Sequence, residues 1–378
     1  MNVVLTERPE QAEPAQSTPA QSTLALTIVD CDIHPAPKAM SELTPFMPRR
    51  WVDYMKSFGG STRNVFAKAG LYARYNRDGG SRLDTKPPTG GPSGSDLDFM
   101  RTHHLDPNGI AYGILQPLKP SGICQRNQEF GAVLNAAVND WQEHHWCARE
   151  PRIKGSIMVT REDPQAAVRE IERWAGNPHF VQVSTLPHGL EPLGRQRYWP
   201  IFEAAEAHDL PIGIHVGGVS GMPPTSTGWP SFYIEEHHSK CEAMQSLVAS
   251  LVIEGVFERF PRLRIVLIEG GFVWAPSLAW RLDKTYNRLR AEAPHLKRMP
   301  SEYIRDHFWF TTQPVEEPRR PRDLADVMDW VGWDRILFST DYPHWDYDDP
   351  RWAFKCPMTD TQARQIFADN AKSLFGLP

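Results

Sequence analysis

The sequence predicts an α/β fold, a (β/α)8 TIM barrel, on three observations. Eight short apolar segments recur after residue 24, amphipathic segments fill most of the gaps, and titratable residues gather where the apolar segments end. Several of the segments are continuous apolar runs, which suits parallel strands buried on both faces. Strand then helix, repeated down the chain, is the order of a barrel.

The strands are expected at TIVDCDIH (27–34), GIAYGILQP (109–117), RIKGSIMV (152–159), FVQVST (180–185), PIGIHV (211–216), LRIVLIEG (263–270), HFWFTT (307–312) and RILFSTD (335–341). Helices are expected at 131–150, 163–176, 199–211, 240–258, 274–293, 322–332 and 359–376. Asp163 followed by Pro164 reads as an N-cap with proline at the first helical position. Residues 1–23, rich in Ala, Gln, Pro, Ser and Glu, are expected to form a disordered leader before a single barrel over 24–378. Residues 35–106 are too long for a bare loop, so they are expected to be an insertion after the first strand that caps the barrel mouth with short helices. An open doubly wound nucleotide-binding sheet would carry a glycine-rich loop after its first strand, and none is present.

Composition narrows the function classes. A net charge of −5 and a pI near 6.3 offer no general electrostatic case for nucleic acid or an anionic membrane. No run of 18 apolar residues predicts a membrane helix, and the N-terminus lacks the basic start and apolar core of a signal peptide, so a cytoplasmic enzyme is expected. Five scattered cysteines without a CxxC pair argue against a disulfide framework or a cysteine zinc cluster. The expected partners are a small-molecule substrate and further copies of the chain, as a homodimer or larger. The 34 prolines and 13 tryptophans are high counts, and Trp229, Trp274, Trp309 and Trp345 near strand ends or loops favour a flat or aromatic substrate.

Chemistry in a barrel sits at the C-terminal ends of strands. There the chain places Asp32 and His34 on the first strand, His215 on the fifth, Glu269 on the sixth and Asp341 on the eighth. Asp32 and His34 alternate along one strand and so share a face. One such residue alone is usually a hydrogen-bonded core residue. Donors from four strand ends together suit one divalent ion with mixed N/O ligation, zinc first and manganese second. Secondary candidates for substrate binding are His188, Gln116, His238 and His344, with Tyr233 and His237 beside them. Arg74 and Arg82 in the insertion could pair with a substrate carboxylate. WQEHHW (141–146) looks like a metal cluster but falls within a helix outside the barrel.

The D-x-H at 32–34, the strand-five His215, the EGG at 269–271, the TDYPH at 340–344 and the stretch VFERFPRLRIVLIEGGFVWAPSLAWRLD (256–283) resemble the amidohydrolase superfamily. The likeness is to its amidohydrolase 2 branch, which contains aminocarboxymuconate semialdehyde, resorcylate and carboxyvanillate decarboxylases and lactone hydrolases. The resemblance implies that Asp32, His34, His215 and Asp341 hold one divalent metal, since a lysine-bridged binuclear site has no clear counterpart here. Two departures stand out. The first motif is D-x-H where H-x-H or E-x-H is common, and Glu269 stands where decarboxylases of the branch usually carry a His. A Glu there is either an acid of raised pKa, or a metal ligand or water base. The second option points to hydrolysis of a lactone, amide or ester by metal-activated water, with Asp341 and Glu269 as catalytic residues. The alternatives are non-oxidative decarboxylation of an aromatic or unsaturated acid, with Asp341 as proton donor, and a non-catalytic binding barrel.

Overall fold

A computed structural model describes residues 27–58, 80–123, 125–217 and 223–378. The strands are β1 (Ile28–Ile33), β2 (Ile110–Leu115), β3 (Ile153–Met158), β4 (Phe180–Thr185), β5 (Ile212–His215), β6 (Ile265–Ile268), β7 (Phe308–Thr311) and β8 (Ile336–Leu337). Each lies within its predicted segment. They run parallel in the order β1 to β8, and the ring closes through Cys31 N–H to the Phe338 carbonyl (2.9 Å) and His34 N–H to the Tyr342 carbonyl (2.8 Å).

Helices Gln128–Gln142, Pro164–Trp174, Trp199–Ala207, Tyr233–Ile253, Ala275–Leu289 and Pro321–Val331 occupy the expected gaps. Asp163 caps its helix as anticipated, accepting from the Ala166 N–H at 3.0 Å. Two differences appear. A helix at Pro300–His307 precedes β7, where none was expected. The helix after β5 begins at Tyr233, seven residues before the expected start at 240. The Glu235 carboxylate accepts from the N–H groups of Phe232 (2.9 Å) and Ser231 (3.1 Å), which satisfies donors at the helix start and allows the earlier turn.

One end of the barrel is sealed. Ala368, Ala371, Leu374 and Phe375 pack against Val29, Cys31, Val181, Val266 and Leu337, and the Leu374 carbonyl accepts from Arg264, just ahead of β6. The C-terminal helix Asn370–Phe375 therefore lies at the N-terminal ends of the strands, leaving their C-terminal ends for chemistry.

The insertion packs over that functional end. Its described parts form short helices, including Arg49–Phe58, Leu83–Thr85 and Leu97–Met100. Arg82 N–H donates to the Pro343 carbonyl (3.0 Å), Trp345 N–H to the Gly80 carbonyl (2.7 Å), and Ala36 N–H to the Gly94 carbonyl (2.9 Å). Gly94 has φ +76°, and a Cβ there would stand 2.3 Å from the His34 carbonyl oxygen, so only glycine allows this approach. The leader and Arg74 lie outside the described residues. No helix among the described residues is long and apolar enough to cross a membrane.

Candidate metal centre

Residues from β1, β5, β6 and β8 meet at the barrel mouth. Asp32, His34, His215 and Glu269 each offer an atom within 4.8 Å of the others, and His34, Glu269, Asp341 and His344 form a second such set sharing His34 and Glu269. His34 is the hub: its Nε2 lies 2.6 Å from Asp341 Oδ1 and 3.3 Å from Asp32 Oδ1. His215 Nε2 lies 3.1 Å from Glu269 Oε2 and 3.6 Å from Asp32 Oδ2.

The backbone orients both imidazoles. His34 Nδ1 is 2.8 Å from the Gln116 carbonyl and His215 Nδ1 is 2.6 Å from the Val216 carbonyl. A carbonyl only accepts, so each Nδ1 carries the proton and each Nε2 faces the centre, the arrangement typical of metal-ligating histidines. Glu269 (φ +59°) and Asp341 (φ +61°) both occupy the left-handed region, which costs a residue with a side chain about 1 kcal/mol or more and concentrates at functional sites.

A divalent cation fits this set. Both oxygens of Asp32, Asp341 Oδ2 and His215 Nε2 are buried without a hydrogen-bond partner, and such groups are costly unless something pairs with them. Asp32, Glu269 and Asp341 bring three carboxyl groups against the one ammonium of Lys240, an acidic excess that a divalent ion offsets. The titration behaviour points the same way. Burial works against a charged imidazole, yet Asp32 and Asp341 lift His34 to about 9, and Asp32 and Glu269 lift His215 well above the usual range. Burial raises the Asp341 carboxyl.

Glu269 is held toward its anionic form. Burial pushes its pKa up, but the Lys240 ammonium and His215 outweigh it and hold the carboxyl well below the usual range. Lys240 Nζ contacts Glu269 Oε1, and that pairing overcomes burial to keep the lysine charged. Of the two expectations for Glu269, the contact with Lys240 favours an ionised carboxylate over an acid of raised pKa.

The secondary candidates divide. His344 Nδ1 is 2.6 Å from Asp341 Oδ1, and His344 lines a cleft of about 290 Å³ with His188, Lys240, Glu269, Trp345 and Asp346. His188 Nδ1 donates to the Gly217 carbonyl at 2.6 Å, and burial lowers its pKa. The Gln116 side chain is buried and accepts from Ser184, so its contribution to the site is the carbonyl that aims His34. His238 is corrected: it is exposed and does not line the cleft. The helix begins early enough that Tyr233, Glu236, Lys240 and Ala243 form the stripe facing the cleft, and position 238 falls off it. His237 instead contacts Asp346 at 2.8 Å. Lys240 was missed because it was read as the first residue of the helix; its spacing from Tyr233 and Glu236 was the available signal. Arg82 pairs with Asp84 and covers the Tyr347 ring. Trp141 and Trp146 are buried in the wall, and WQEHHW joins no metal-competent group among the described residues.

A barrel with convergent N/O donors at its strand ends is the architecture of a metal-dependent enzyme. The amidohydrolase family profile matches residues 29–377, and the chain belongs to that family. A gamma-resorcylate decarboxylase of Polaromonas sp. is 24% identical over 293 residues, spanning 75% of this chain and 88% of the relative. Among solved structures, 5-carboxyvanillate decarboxylase from Sphingomonas paucimobilis superposes with TM-score 0.66 at 22% identity, over 94% of this chain and 100% of the other. Dihydroxybenzoic acid decarboxylase from Polaromonas sp., solved with manganese and 2-nitroresorcinol bound, gives TM-score 0.63 at 20% identity, over 93% and 97%.

Proposed function

We propose that this enzyme is a divalent-metal-dependent, non-oxidative decarboxylase of aromatic acids of the hydroxybenzoate class. The observation that carries the reading is Asp341, whose Oδ1 is held by His34 and His344 while Oδ2 is buried without a protein partner. The curated relatives are decarboxylases, which reverses the order of the two sequence-based readings.

Asp32, His34, His215 and Asp341 would hold the ion, manganese in the first instance since it is bound in the Polaromonas structure, and the ion would supply Lewis acidity toward the substrate carboxylate. Leu118, Pro187, Tyr233 and Trp345 line the cleft where the substrate ring would lie. A proton on Asp341 Oδ2 passes to the ring carbon that bears the carboxylate. The bond from that carbon to the carboxylate then breaks, its electron pair returns to the ring, and carbon dioxide leaves. Asp341 is left ionised, and His344, a quarter exposed, passes it a proton from solvent.

Hydrolysis is the second reading, and it stands on ionised Glu269 beside His215. Against it, one Glu269 oxygen is already paired with Lys240. The test is manganese-loaded protein with 2,6-dihydroxybenzoate, 2-hydroxybenzoate and a panel of lactones and amides, followed by carbon dioxide release and NMR of the product. Release that is lost with chelator and with Asp341→Asn is expected. Lactone or amide opening without carbon dioxide would overturn the reading.

A further inference from the structure

Lys240 is used by neither the metal set nor the proton transfer above. It projects from the helix Tyr233–Ile253 into the cleft, one turn after Glu236, and is the single lysine or arginine among the described residues lining it. Its side chain is 27% exposed and lines the cleft, with Nζ against the Glu269 carboxylate. An ammonium has three N–H donors, and among the described residues its hydrogen-bond partner is Glu269. The carboxylates lining the same cleft are Glu236, Glu269 and Asp346, with His188, His215 and His344 beside them.

Glu269 contacts Lys240 through one oxygen while the other stands 3.1 Å from His215 Nε2, so the ammonium is one carboxylate's width from the metal-ligand histidine. We propose that Lys240 anchors the substrate through an anionic or hydrogen-bond-accepting oxygen on the ring carbon next to the one bearing the carboxylate. Glu269 holds the ammonium in place for that contact, which reduces the ordering cost of binding. In this arrangement the substrate's carboxylate is directed at the metal set and its ortho oxygen at Lys240. This rests on the proposed function for the identity of the carboxylate's anchor.

The experiment is a cycle between residue and substrate. Manganese-loaded wild type, Lys240→Arg, Lys240→Gln and Lys240→Met are compared with 2-hydroxybenzoate and benzoate, by calorimetric binding and, for the acid that turns over, by kcat and KM. A hydrogen bond to a charged group is worth roughly tenfold to a hundredfold, so wild type should prefer the ortho-hydroxy acid by about that ratio. The ratio should persist in Lys240→Arg and collapse toward unity in Lys240→Gln and Lys240→Met. The change should appear in dissociation constant and KM more than in kcat. A structural role would weaken both ligands equally and leave the ratio intact, which would overturn the proposal, as would binding of neither acid by wild type. Preferential binding without carbon dioxide release would sink the decarboxylase reading while sustaining the anchor, because binding is scored independently of turnover. Melting curves identify a variant that fails to fold; Lys240→Arg, which keeps the charge beside Glu269, then carries the comparison, and loss of its ratio would count against the anchor.

Discussion

The Lys240–Glu269 pair yields an asymmetric prediction for stability. Glu269 is 3% exposed and Lys240 is 27% exposed, so removing either partner strands a charge in a different environment. Lys240→Met leaves a carboxylate sealed in the barrel mouth, and breaking a buried pair from that side costs about 3 kcal/mol, the low end of the usual range because His215 still faces Glu269. Glu269→Gln leaves an ammonium on a long stem that can turn toward water, beside an amide carbonyl that still accepts, so its cost is about 1.5 kcal/mol. The double variant strands no charge and should be more stable than Lys240→Met, with a coupling of about 2 kcal/mol. At about 2.1 cal/mol/K per residue, a 378-residue chain converts 1 kcal/mol into roughly 1.3 °C. Calorimetric melting of chelator-treated protein should therefore show losses of about 4 °C for Lys240→Met and about 2 °C for Glu269→Gln. Equal losses, or a double variant that melts at the sum of the two, would refute the reasoning.

Two further outcomes are expected. His215→Ala should remove most of an otherwise near-stoichiometric divalent ion, measured by elemental analysis after dialysis, while Gln116→Ala should retain it, because the backbone carbonyl of residue 116 is what orients His34. Burial lifts the Asp348 carboxyl to about 7, above its unfolded value, so its share of stability is full below about pH 4 and is lost as pH rises through 7. Asp348→Asn should therefore raise the melting temperature more at pH 8 than at pH 5; a pH-independent effect would contradict that sign.

The barrel was legible in the sequence because its strands are buried on both faces and therefore written as apolar runs, such as IVLI at 265–268, bounded by helices. Asp32, His34, His215, Glu269 and Asp341 were legible for a related reason: a strand end is a fixed address in this fold, so polar residues at those addresses must converge. Periodicity could not show the start of the helix at Tyr233, which depends on the Glu235 cap and lies beside a Pro- and Gly-rich insert. That boundary decided that His238 faces solvent and Lys240 faces the cleft. The charge state of Glu269 was equally beyond the sequence, since a carboxyl buried alone is driven up and one buried against an ammonium is driven down. The partner that reverses the sign lies 29 residues away, on the helix after β5, and only tertiary packing brings it there.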